Sequence, residues 1–154
     1  MIAVVQRVTK ASVTVDDQGH HEAIGAGLCV LLGVEQGDGP EQAKWIASKI
    51  ARLRIFRDDQ DRMNRSVQDV GGSILLVSQF TLAGDCRKGN RPSFINAADP
   101  KGGERLYEAV GRHLESDHGL PVAWGIFGAM MQVELINDGP VTLIVRRDPD
   151  HSGI

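Results

Sequence analysis

A chain of 154 residues with 42% hydrophobic and 24% charged residues has the size and composition of one globular domain, which excludes a disordered or fibrous protein. Its net charge of −3 gives no broad cationic surface for duplex nucleic acid, so a nucleic-acid partner would have to bind a local patch or present an exposed end. No apolar run reaches membrane-spanning length, and Cys29 and Cys86 form neither a disulfide framework nor a metal-ligand motif; we therefore expect one cytoplasmic domain, residues 1–154, that needs no metal or other cofactor.

The first half of the chain predicts strands followed by one helix. Residues 2–8 and 12–15 have strand patterns, residues 16–21 are a turn, and residues 24–34 are a long apolar strand. This opening is typical of an antiparallel meander. Pro40 suits the first turn of a helix of about 14 residues, on which apolar residues recur every three or four positions, at Ala43, Ile46, Ile50 and Leu53.

The second half predicts a central strand, a long loop, a second helix and two closing strands. Residues 73–80 are the most hydrophobic strand, which favours the centre of the sheet. Residues 83–98 are polar and rich in turn residues, and a helix begins at residues 99–100 with Leu106, Val110 and Leu114 on one face. Residues 131–136 and 141–145 are the closing strands. Because strands and helices do not alternate regularly, we expect an α+β fold rather than a doubly wound sheet.

Two short motifs are candidates for catalysis, although each has an ordinary structural explanation. Residues 137–142 (NDGPVT) contain a Gly-Pro bond that can be cis and would then project two carbonyls in a fixed direction, but this segment alone is more often a hairpin turn. Residues 78–81 (SQFT) place hydroxyl and amide groups at the carboxyl end of a strand, where they also commonly satisfy the backbone. Thr81 is a candidate nucleophile, yet no histidine lies close in sequence to activate it.

Two further segments offer groups that could bind a ligand. Residues 87–91 combine arginines with glycine and could bind phosphate, although a solvated turn is at least as common. Residues 127–131 (FGAMM) could stack on a nucleobase, although aromatic and methionine side chains more often belong to the core. The histidines at positions 20, 21, 113, 118 and 151 are interpreted as surface residues that form no metal site.

Taken together, the motifs occur in an order and spacing that resembles the D-aminoacyl-tRNA deacylase family. The segments that carry the resemblance are SQFTLAGD (78–85), RPSF (91–94), GIFGAMM (125–131) and NDGPVT (137–142), and with the opening MIAVVQRV it covers nearly the whole chain. The resemblance implies a single compact α+β domain, with an antiparallel or mixed β-barrel-like sheet and two flanking helices. It also implies a homodimer with the active site at the subunit interface, which hydrolyses the ester of D-aminoacyl-tRNA and of glycine mischarged on alanine tRNA.

The resemblance also implies roles for individual residues. Gly139 and Pro140 would form a cis dipeptide that enters the partner's pocket and excludes L-amino acids, with its orientation held by Arg7. The scissile ester would lie near Ser78, Gln79, Phe80 and Thr81, the adenine would contact Phe127, Gly128 and Met131, and the nearby phosphates would contact Arg87, Lys88 and Arg91. Because an aminoacyl ester is already activated, backbone N–H groups and the 2′-hydroxyl of the substrate could suffice for hydrolysis. Thr81 as a covalent nucleophile is the rival mechanism.

Two other functions remain open on the sequence. A non-catalytic RNA- or nucleotide-binding dimer of the same fold would bind adenosine-ended RNA and leave the ester intact. A related editing domain would remove a mischarged L-amino acid, such as serine from threonine tRNA. The Gly-Pro dipeptide disfavours this last function, because a chiral filter of that kind would reject an L side chain.

Overall fold

The computed structural model describes residues 1–149, which form a mixed β-sheet with two helices packed on it. The helices are α1 (Pro40–Arg52) and α2 (Pro100–Ser116), and two short 3-10 helices span Asp16–Gln18 and Phe80–Ala83. The strands are β1 (Ile2–Val15), β2 (His20–Ile24), β3 (Gly27–Gly33), β4 (Phe56–Arg57), β5 (Met63–Arg65), β6 (Ser73–Ser78), β7 (Val122–Trp124) and β8 (Gln132–Arg146). The predicted α+β class and both predicted helices are confirmed.

The sheet is built on β1. The first half of β1 pairs antiparallel with β3 and its second half with β2, while β8 runs antiparallel along the opposite side of both halves. The predicted strands 2–8 and 12–15 are therefore one strand, and the predicted strand 24–34 is interrupted after Ile24. The opening is a single long hairpin rather than a meander, since β2 and β3 both pair with β1. The predicted turn 16–21 is also shorter, because β2 already begins at His20.

On the far side of β3 the strands run parallel. The order β2-β1-β3-β6-β7 places β6 between two parallel neighbours, and α1 and α2 lie in the two crossover connections that parallel pairing requires. Four of the six residues of β6 are buried, as expected for an inner strand. The strand ends at Ser78 rather than at Phe80, because the chain turns there into a 3-10 helix. The short strands β4, β5 and β7 were not predicted.

The outer strands of the sheet meet to give a nearly closed barrel. His20 on β2 lies 2.8 Å, Nε2 to O, from the backbone carbonyl of Trp124 on β7. His20 is therefore half-buried and bonded rather than a free surface residue, whereas His21 is exposed, as predicted. His113 and His118 are half-buried, and His151 lies outside the described residues.

Two clusters of buried side chains flank the sheet. The larger lies under α1 and α2 and contains the buried residues Ala43, Ile46, Ile50, Leu106, Val110 and Leu114 of the predicted helix faces. Leu53, predicted on the same face of α1, follows the end of that helix and is only partly buried. The smaller lies on the opposite face and contains Cys29, whose thiol pKa is raised by burial to about 11. Both helices begin as predicted, with Pro40 and Pro100 in the first turn. Within residues 1–149, no helix has the length and hydropathy needed to cross a membrane.

The approach of α2 to β7 leaves no room for a side chain at Gly111. A Cβ added there would lie 1.9 Å from Cη2 of Trp124, so the indole ring would have to move. We expect Gly111→Ala to lower the free energy of unfolding by about 1–3 kcal/mol through overpacking, despite the better helix propensity of alanine. Gly25→Ala, where nothing lies within 4 Å, is the control. Urea unfolding followed by tryptophan fluorescence measures both, and equal midpoints for the two variants would contradict this packing.

Candidate active site

The carboxyl end of β6 opens onto a cleft of about 510 Å³. After Ser78, the N–H of Gln79 donates to the carbonyl of Leu32 at 2.7 Å, and the chain then turns into the 3-10 helix Phe80–Ala83. The cleft is lined by the end of β3 and the residue after it, the end of β6, the start of the 3-10 helix, the start of α2 and the loop before it, and the residues that lead into β8. These residues are Leu32, Val34, Val77, Ser78, Gln79, Phe80, Thr81, Ala98, Gly103, Phe127, Gly128, Ala129, Met130, Met131 and Val133. The fold thus brings two of the predicted segments, SQFT and FGAMM, to one site.

Among residues 1–149, no ionisable side chain lines this cleft. Its polar side chains are those of Ser78, Gln79 and Thr81. The amide Nε2 of Gln79 donates to the Thr81 hydroxyl at 3.0 Å, so this hydroxyl is held by an amide rather than by a base. Within residues 1–149, no three His, Cys, Asp or Glu side chains lie together as metal ligands. The chemistry available in the cleft is therefore that of neutral hydrogen-bonding groups.

The backbone at the start of the 3-10 helix supplies donors. The N–H groups of Phe80 and Thr81 open this helix, and the first N–H groups of a helix have no acceptor within it. N–H groups later in the turn already have acceptors within it. Leu82 N–H donates to Gln79 O at 3.2 Å and Gly84 N–H donates to Thr81 O at 3.0 Å. Adjacent backbone N–H groups beside a cleft are the arrangement that stabilises an oxyanion in acyl transfer.

Helix α2 supports the opposite wall of the cleft from behind. The ring of Phe127 lies 5.9 Å, centroid to centroid, from the ring of Tyr107. A Cβ added to Gly103 would lie 3.2 Å from Cζ of Phe127, so helix and ring are in close contact. Gly128, next in the chain, has φ of +76°, a left-handed conformation that favours glycine. The position of the predicted adenine-binding wall is thus set by the packing of a helix.

Tyr107 also ties α2 to the strand that ends in the SQFT segment. Its buried hydroxyl donates to the carbonyl of Leu76 at 2.8 Å, and burial raises the Tyr107 pKa above its ordinary value. Its ring packs edge-on against Trp124, with centroids 5.6 Å apart. Tyr107 was not predicted from the sequence, although the four-residue spacing of Gly103, Tyr107 and Gly111 places two small residues and one ring on the same face of α2.

Gly139 and Pro140 lie in a bulge within β8. Gln6 of β1 is opposite Thr142 and Val8 is opposite Asn137, so residues 138–141 bulge out opposite a single residue of β1. The predicted hairpin between strands 131–136 and 141–145 is therefore wrong, because both segments pair with β1 as one strand. The Gly139–Pro140 peptide bond is cis, and both residues are exposed.

Side chains at the edges of the bulge close it. The Oδ1 atom of Asn137 accepts a hydrogen bond from the N–H of Val141 at 3.1 Å, and its Nδ2 donates to the Thr142 hydroxyl at 2.8 Å. The bulge does not line the cleft of its own chain. Gly139 and Pro140 are thus exposed at the edge of the sheet, apart from the cleft.

The buried side chain of Arg7, the β1 residue opposite the bulge, holds it from within. Its Nε donates to the carbonyl of Asp138 at 3.2 Å and lies 3.3 Å from the carboxylate of the same residue. Its Nη1 donates to the carbonyl of Ile55 at 2.7 Å. A Cβ added to Gly139 would lie 3.1 Å from Nη2 of Arg7. Arg7 is therefore placed against the dipeptide.

The three cations predicted to contact phosphate lie outside the cleft and are exposed. Arg87 is paired with Asp85 through Nε–Oδ1 at 2.9 Å and Nη2–Oδ2 at 2.7 Å, and these hydrogen bonds lower the pKa of Asp85 to about 2. Within residues 1–149, no carboxylate lies within 4.0 Å of the charged groups of Lys88 or Arg91. Lys88 and Arg91 thus keep their charge free for a ligand, whereas Arg87 already has a partner.

The sequence matches one family over nearly its whole length. Residues 4–146 match the sequence model of a family described as D-Tyr-tRNA(Tyr) deacylase. The chain is 59% identical over 145 residues to a D-aminoacyl-tRNA deacylase of Heliobacterium modesticaldum, and the alignment covers 94% of this chain and 95% of the relative. It is 56% identical over 147 residues to a D-aminoacyl-tRNA deacylase of Pelobacter propionicus, covering 96% of this chain and 100% of the relative.

Two solved structures share the fold. One, described as c-Myc DNA Unwinding Element Binding Protein, has a TM-score of 0.88 and 42% identity, covering 96% of this chain and 99% of its own. The other, a probable eukaryotic D-amino acid tRNA deacylase, has a TM-score of 0.78 and covers 94% of this chain and 97% of its own; at 17% identity it shows the fold alone. The family model matches residues 4–146, and both relatives are more than half identical to this chain. The chain therefore belongs to the D-aminoacyl-tRNA deacylase family, whose members are hydrolases of aminoacyl-tRNA.

Proposed function

We propose that this protein hydrolyses the ester that joins a D-amino acid, or a glycine mischarged on alanine tRNA, to the 3′-terminal adenosine of tRNA. The observation that carries the proposal is the cleft in which the SQFT and FGAMM segments meet, in a chain whose relatives are named D-aminoacyl-tRNA deacylases. The products would be the free amino acid and tRNA. Because ribosomes consume aminoacyl-tRNA in the cytoplasm, this proofreading takes place there.

The adenosine would bind in the cleft against the wall formed by Phe127, Gly128 and Met131. An aromatic ring beside an exposed glycine lets a flat base approach closely, and stacking of a base on an aromatic side chain is worth about 1–3 kcal/mol. The cleft volume of about 510 Å³ lies within the range of small-ligand sites. With the base on this wall, the ester at the 3′ end reaches toward the SQFT segment across the cleft.

Hydrolysis would proceed by positioning and oxyanion stabilisation. A water molecule attacks the ester carbonyl carbon, and the oxyanion that forms accepts hydrogen bonds from the N–H groups of Phe80 and Thr81. The bond to the 3′-oxygen then breaks as this oxygen takes up one of the two protons of the attacking water. The other proton passes to solvent, and the amino acid leaves as its carboxylate. The 2′-hydroxyl of the substrate, adjacent to the ester, orients the water. Ser78 and Gln79 complete the polar wall, and no ionisable side chain of the cleft lining takes part.

The exposed apolar residues of β8 support a homodimer. Within the described part of the chain, this strand pairs with β1 alone, and it exposes Val133, Ile136, Leu143 and Ile144, the last of these by 71%. An edge strand that exposes apolar side chains is a surface for another chain. We propose that a second copy covers it, which brings the Gly139–Pro140 bulge of each subunit into the cleft of the other.

In this arrangement the dipeptide acts as a chiral filter. The carbonyls of Gly139 and Pro140 would face the α-carbon of the substrate, where an L side chain collides with them. A hydrogen atom is all that a D-amino acid or glycine presents on that side, so both fit. The hydrogen bonds of Arg7 to Asp138 and Ile55 fix the direction in which the filter points.

We propose that Arg87, Lys88 and Arg91 contact phosphates near the 3′ end. Arginine and lysine beside glycine bind phosphate through charge-assisted hydrogen bonds. Arg87 would have to share its guanidinium between Asp85 and the RNA. A few local contacts of this kind suffice for a protein of net charge −3, because only one end of the tRNA is held.

A second candidate function is nucleic-acid binding without hydrolysis. It is favoured by the 42% identical structure whose description names binding to a DNA unwinding element. Such a protein would hold adenosine-ended RNA in the same cleft and release it unchanged. Hydrolysis of a mischarged L-amino acid is a third candidate, and the proposed chiral filter opposes it.

Paired D-tyrosyl- and L-tyrosyl-tRNA distinguish these functions. We expect the purified, chelator-treated protein to hydrolyse the D ester rapidly and to leave the L ester at its spontaneous rate, as measured by release of labelled tyrosine. Hydrolysis of serine mischarged on threonine tRNA, with the D ester left intact, would establish L-amino-acid editing. Binding of these RNAs with hydrolysis of none of them would establish the non-catalytic function.

Substitution of Thr81 separates the two mechanisms. We expect Thr81→Ala to keep kcat within about tenfold of the wild type, since the backbone N–H of residue 81 remains and removal of one supporting hydrogen bond costs about 1 kcal/mol. Thr81→Ser, which keeps the hydroxyl, is the control. Complete loss of turnover in the alanine variant, with unchanged RNA affinity and an acyl-enzyme visible by mass spectrometry in the wild type, would instead identify Thr81 as a nucleophile.

Substitution of Gly139 tests the chiral filter. Its φ of +129° disfavours a side chain, and an added Cβ would lie 2.9 Å from Cγ2 of Val141. We expect Gly139→Ala to reduce kcat/KM for D-tyrosyl-tRNA by at least about tenfold and to change the ratio of D to L hydrolysis. Gly71→Ala, at φ of +65° with nothing of the described chain within 4 Å, places a side chain at another positive φ away from the bulge and is the control. Unchanged kinetics for Gly139→Ala would mean that the bulge is only structural.

A further inference from the structure

The segment between α1 and the inner strand β6 concentrates positive charge. Residues 52–65, which we call the arginine hairpin, comprise the last residue of α1 and the strands β4 and β5. They contain five of the twelve arginines of the chain and three aspartates, so this segment is net positive in a protein of net charge −3. None of these arginines has a role in the cleft or the bulge described above.

Asp58 gives the arginine hairpin a defined shape. Its Oδ1 accepts hydrogen bonds from the N–H groups of Gln60 at 2.9 Å and Arg62 at 3.0 Å, and its Oδ2 accepts one from Asn64 at 3.2 Å. The hydrogen bond from the backbone of Arg62 is the main cause that lowers the pKa of Asp58. The Asp58 carboxylate therefore hydrogen-bonds within its own turn, and these bonds order the loop that holds the neighbouring arginines.

Three arginines of the hairpin keep their charge unpaired. Exposed ion pairs join Arg57 to Asp61 at 3.4 Å and Arg65 to Asp59 at 2.9 Å. By contrast, no carboxylate of residues 1–149 lies within 4.0 Å of the guanidinium groups of the other three, Arg52, Arg54 and Arg62. All three are exposed. Unpaired, exposed guanidinium groups on an ordered helix end and loop are suited to bind phosphate through parallel N–H bonds.

The buried Arg7 joins the arginine hairpin to the bulge of β8. Its Nη1 donates to the carbonyl of Ile55, within the hairpin, and its Nε to the carbonyl of Asp138, next to Gly139. Because one side chain spans the two segments, the hairpin lies beside the base of the bulge. Wherever the bulge of one subunit docks, the arginine hairpin of that subunit docks next to it.

We propose that the arginine hairpin binds phosphates of the tRNA strand whose 3′ adenosine sits in the cleft of the partner subunit. This rests on the proposed function, in which the bulge of one subunit enters the cleft of the other. The hairpin then lies at the rim of that cleft, where the RNA chain leaves it and carries one negative charge per nucleotide. The subunit that owns the cleft offers only Lys88 and Arg91 as unpaired cations of its own 87–91 loop, so the second subunit supplements them.

Removal of two hairpin charges tests the proposal. Arg52 and Arg62 are chosen because Arg54 also holds Asn64 and so supports the hairpin itself. We expect R52Q/R62Q to raise KM for D-tyrosyl-tRNA about five- to twentyfold at low salt, with kcat unchanged, and to reduce the slope of log affinity against log salt by about 1–2. KM for the D-tyrosyl ester of adenosine, which carries no phosphate, should change less than twofold. K44Q/R112Q, which removes two exposed cations from the helices, is the matched control.

The possible outcomes separate clearly. If R52Q/R62Q and K44Q/R112Q have the same KM for D-tyrosyl-tRNA, the hairpin does not contact the RNA and the proposal is wrong. If R52Q/R62Q raises KM equally for both substrates, the hairpin acts on the cleft itself and the proposal is also wrong. If the wild type hydrolyses neither substrate, the proposed function fails; filter binding of uncharged tRNA to the same variants then decides whether the hairpin contacts RNA.

Mixed dimers show which subunit supplies the hairpin. One subunit carries R52Q/R62Q, and the other carries Ser78→Trp, which fills its cleft. The remaining open cleft then faces the unaltered hairpin of its partner, and we expect the KM of the wild type. Placing all three substitutions in one subunit leaves an open cleft opposite the altered hairpin, and KM should rise as in the R52Q/R62Q homodimer. The reverse result would mean that each hairpin serves its own cleft and would overturn the proposal.

Discussion

The geometry of the bulge in β8 depends on the burial of one guanidinium group, that of Arg7. Arg7 occupies an inward-facing position on β1, in line with Ala3 and Val5, and only 3% of its surface is exposed. A charge in that position costs several kcal/mol unless it is fully hydrogen-bonded. Its partners are two backbone carbonyls and one carboxylate, which belong to the segment after α1 and to the bulge of β8. Neither segment can move without leaving that charge unsatisfied, so the two are fixed relative to each other.

Sequence patterns correctly predicted the elements whose formation depends on the spacing of apolar residues within one segment. Ala43, Ile46 and Ile50 recur at helical spacing, and α1 forms there; the continuous apolar run of β6 is buried as expected. The error at Gly139–Pro140 has a clear origin. A Gly-Pro pair is locally a turn signal, but pairing with β1, more than a hundred residues away in sequence, keeps the chain in one strand and converts the turn into a bulge. Strands of two or three residues, such as β4, β5 and β7, are too short to carry any periodicity.

The candidate site was predictable in its parts but not in its assembly. SQFT and FGAMM each have an ordinary structural explanation, and only their joint resemblance to one family placed them in a single site; the cleft brings them together in space. Tyr107 was missed because it lies on the apolar face of α2, where a ring is expected to be core. Its hydroxyl, which holds the carbonyl of Leu76, distinguishes it from an ordinary core residue, and hydrogen bonds of this kind cannot be read from spacing.

The pairing of β1 with β8 has a consequence for how the protein is made. Ile2 is opposite Arg146, so β1, the first strand to be synthesised, can pair with β8 only after almost all of the described chain has been synthesised. Contacts of such long sequence separation slow folding, and an unpaired strand edge exposes the nascent chain to association with other chains. The bulge of β8 is formed in the same late step. In the proposed function, the bulge that selects the substrate would therefore form last, after the residues of the cleft have been translated.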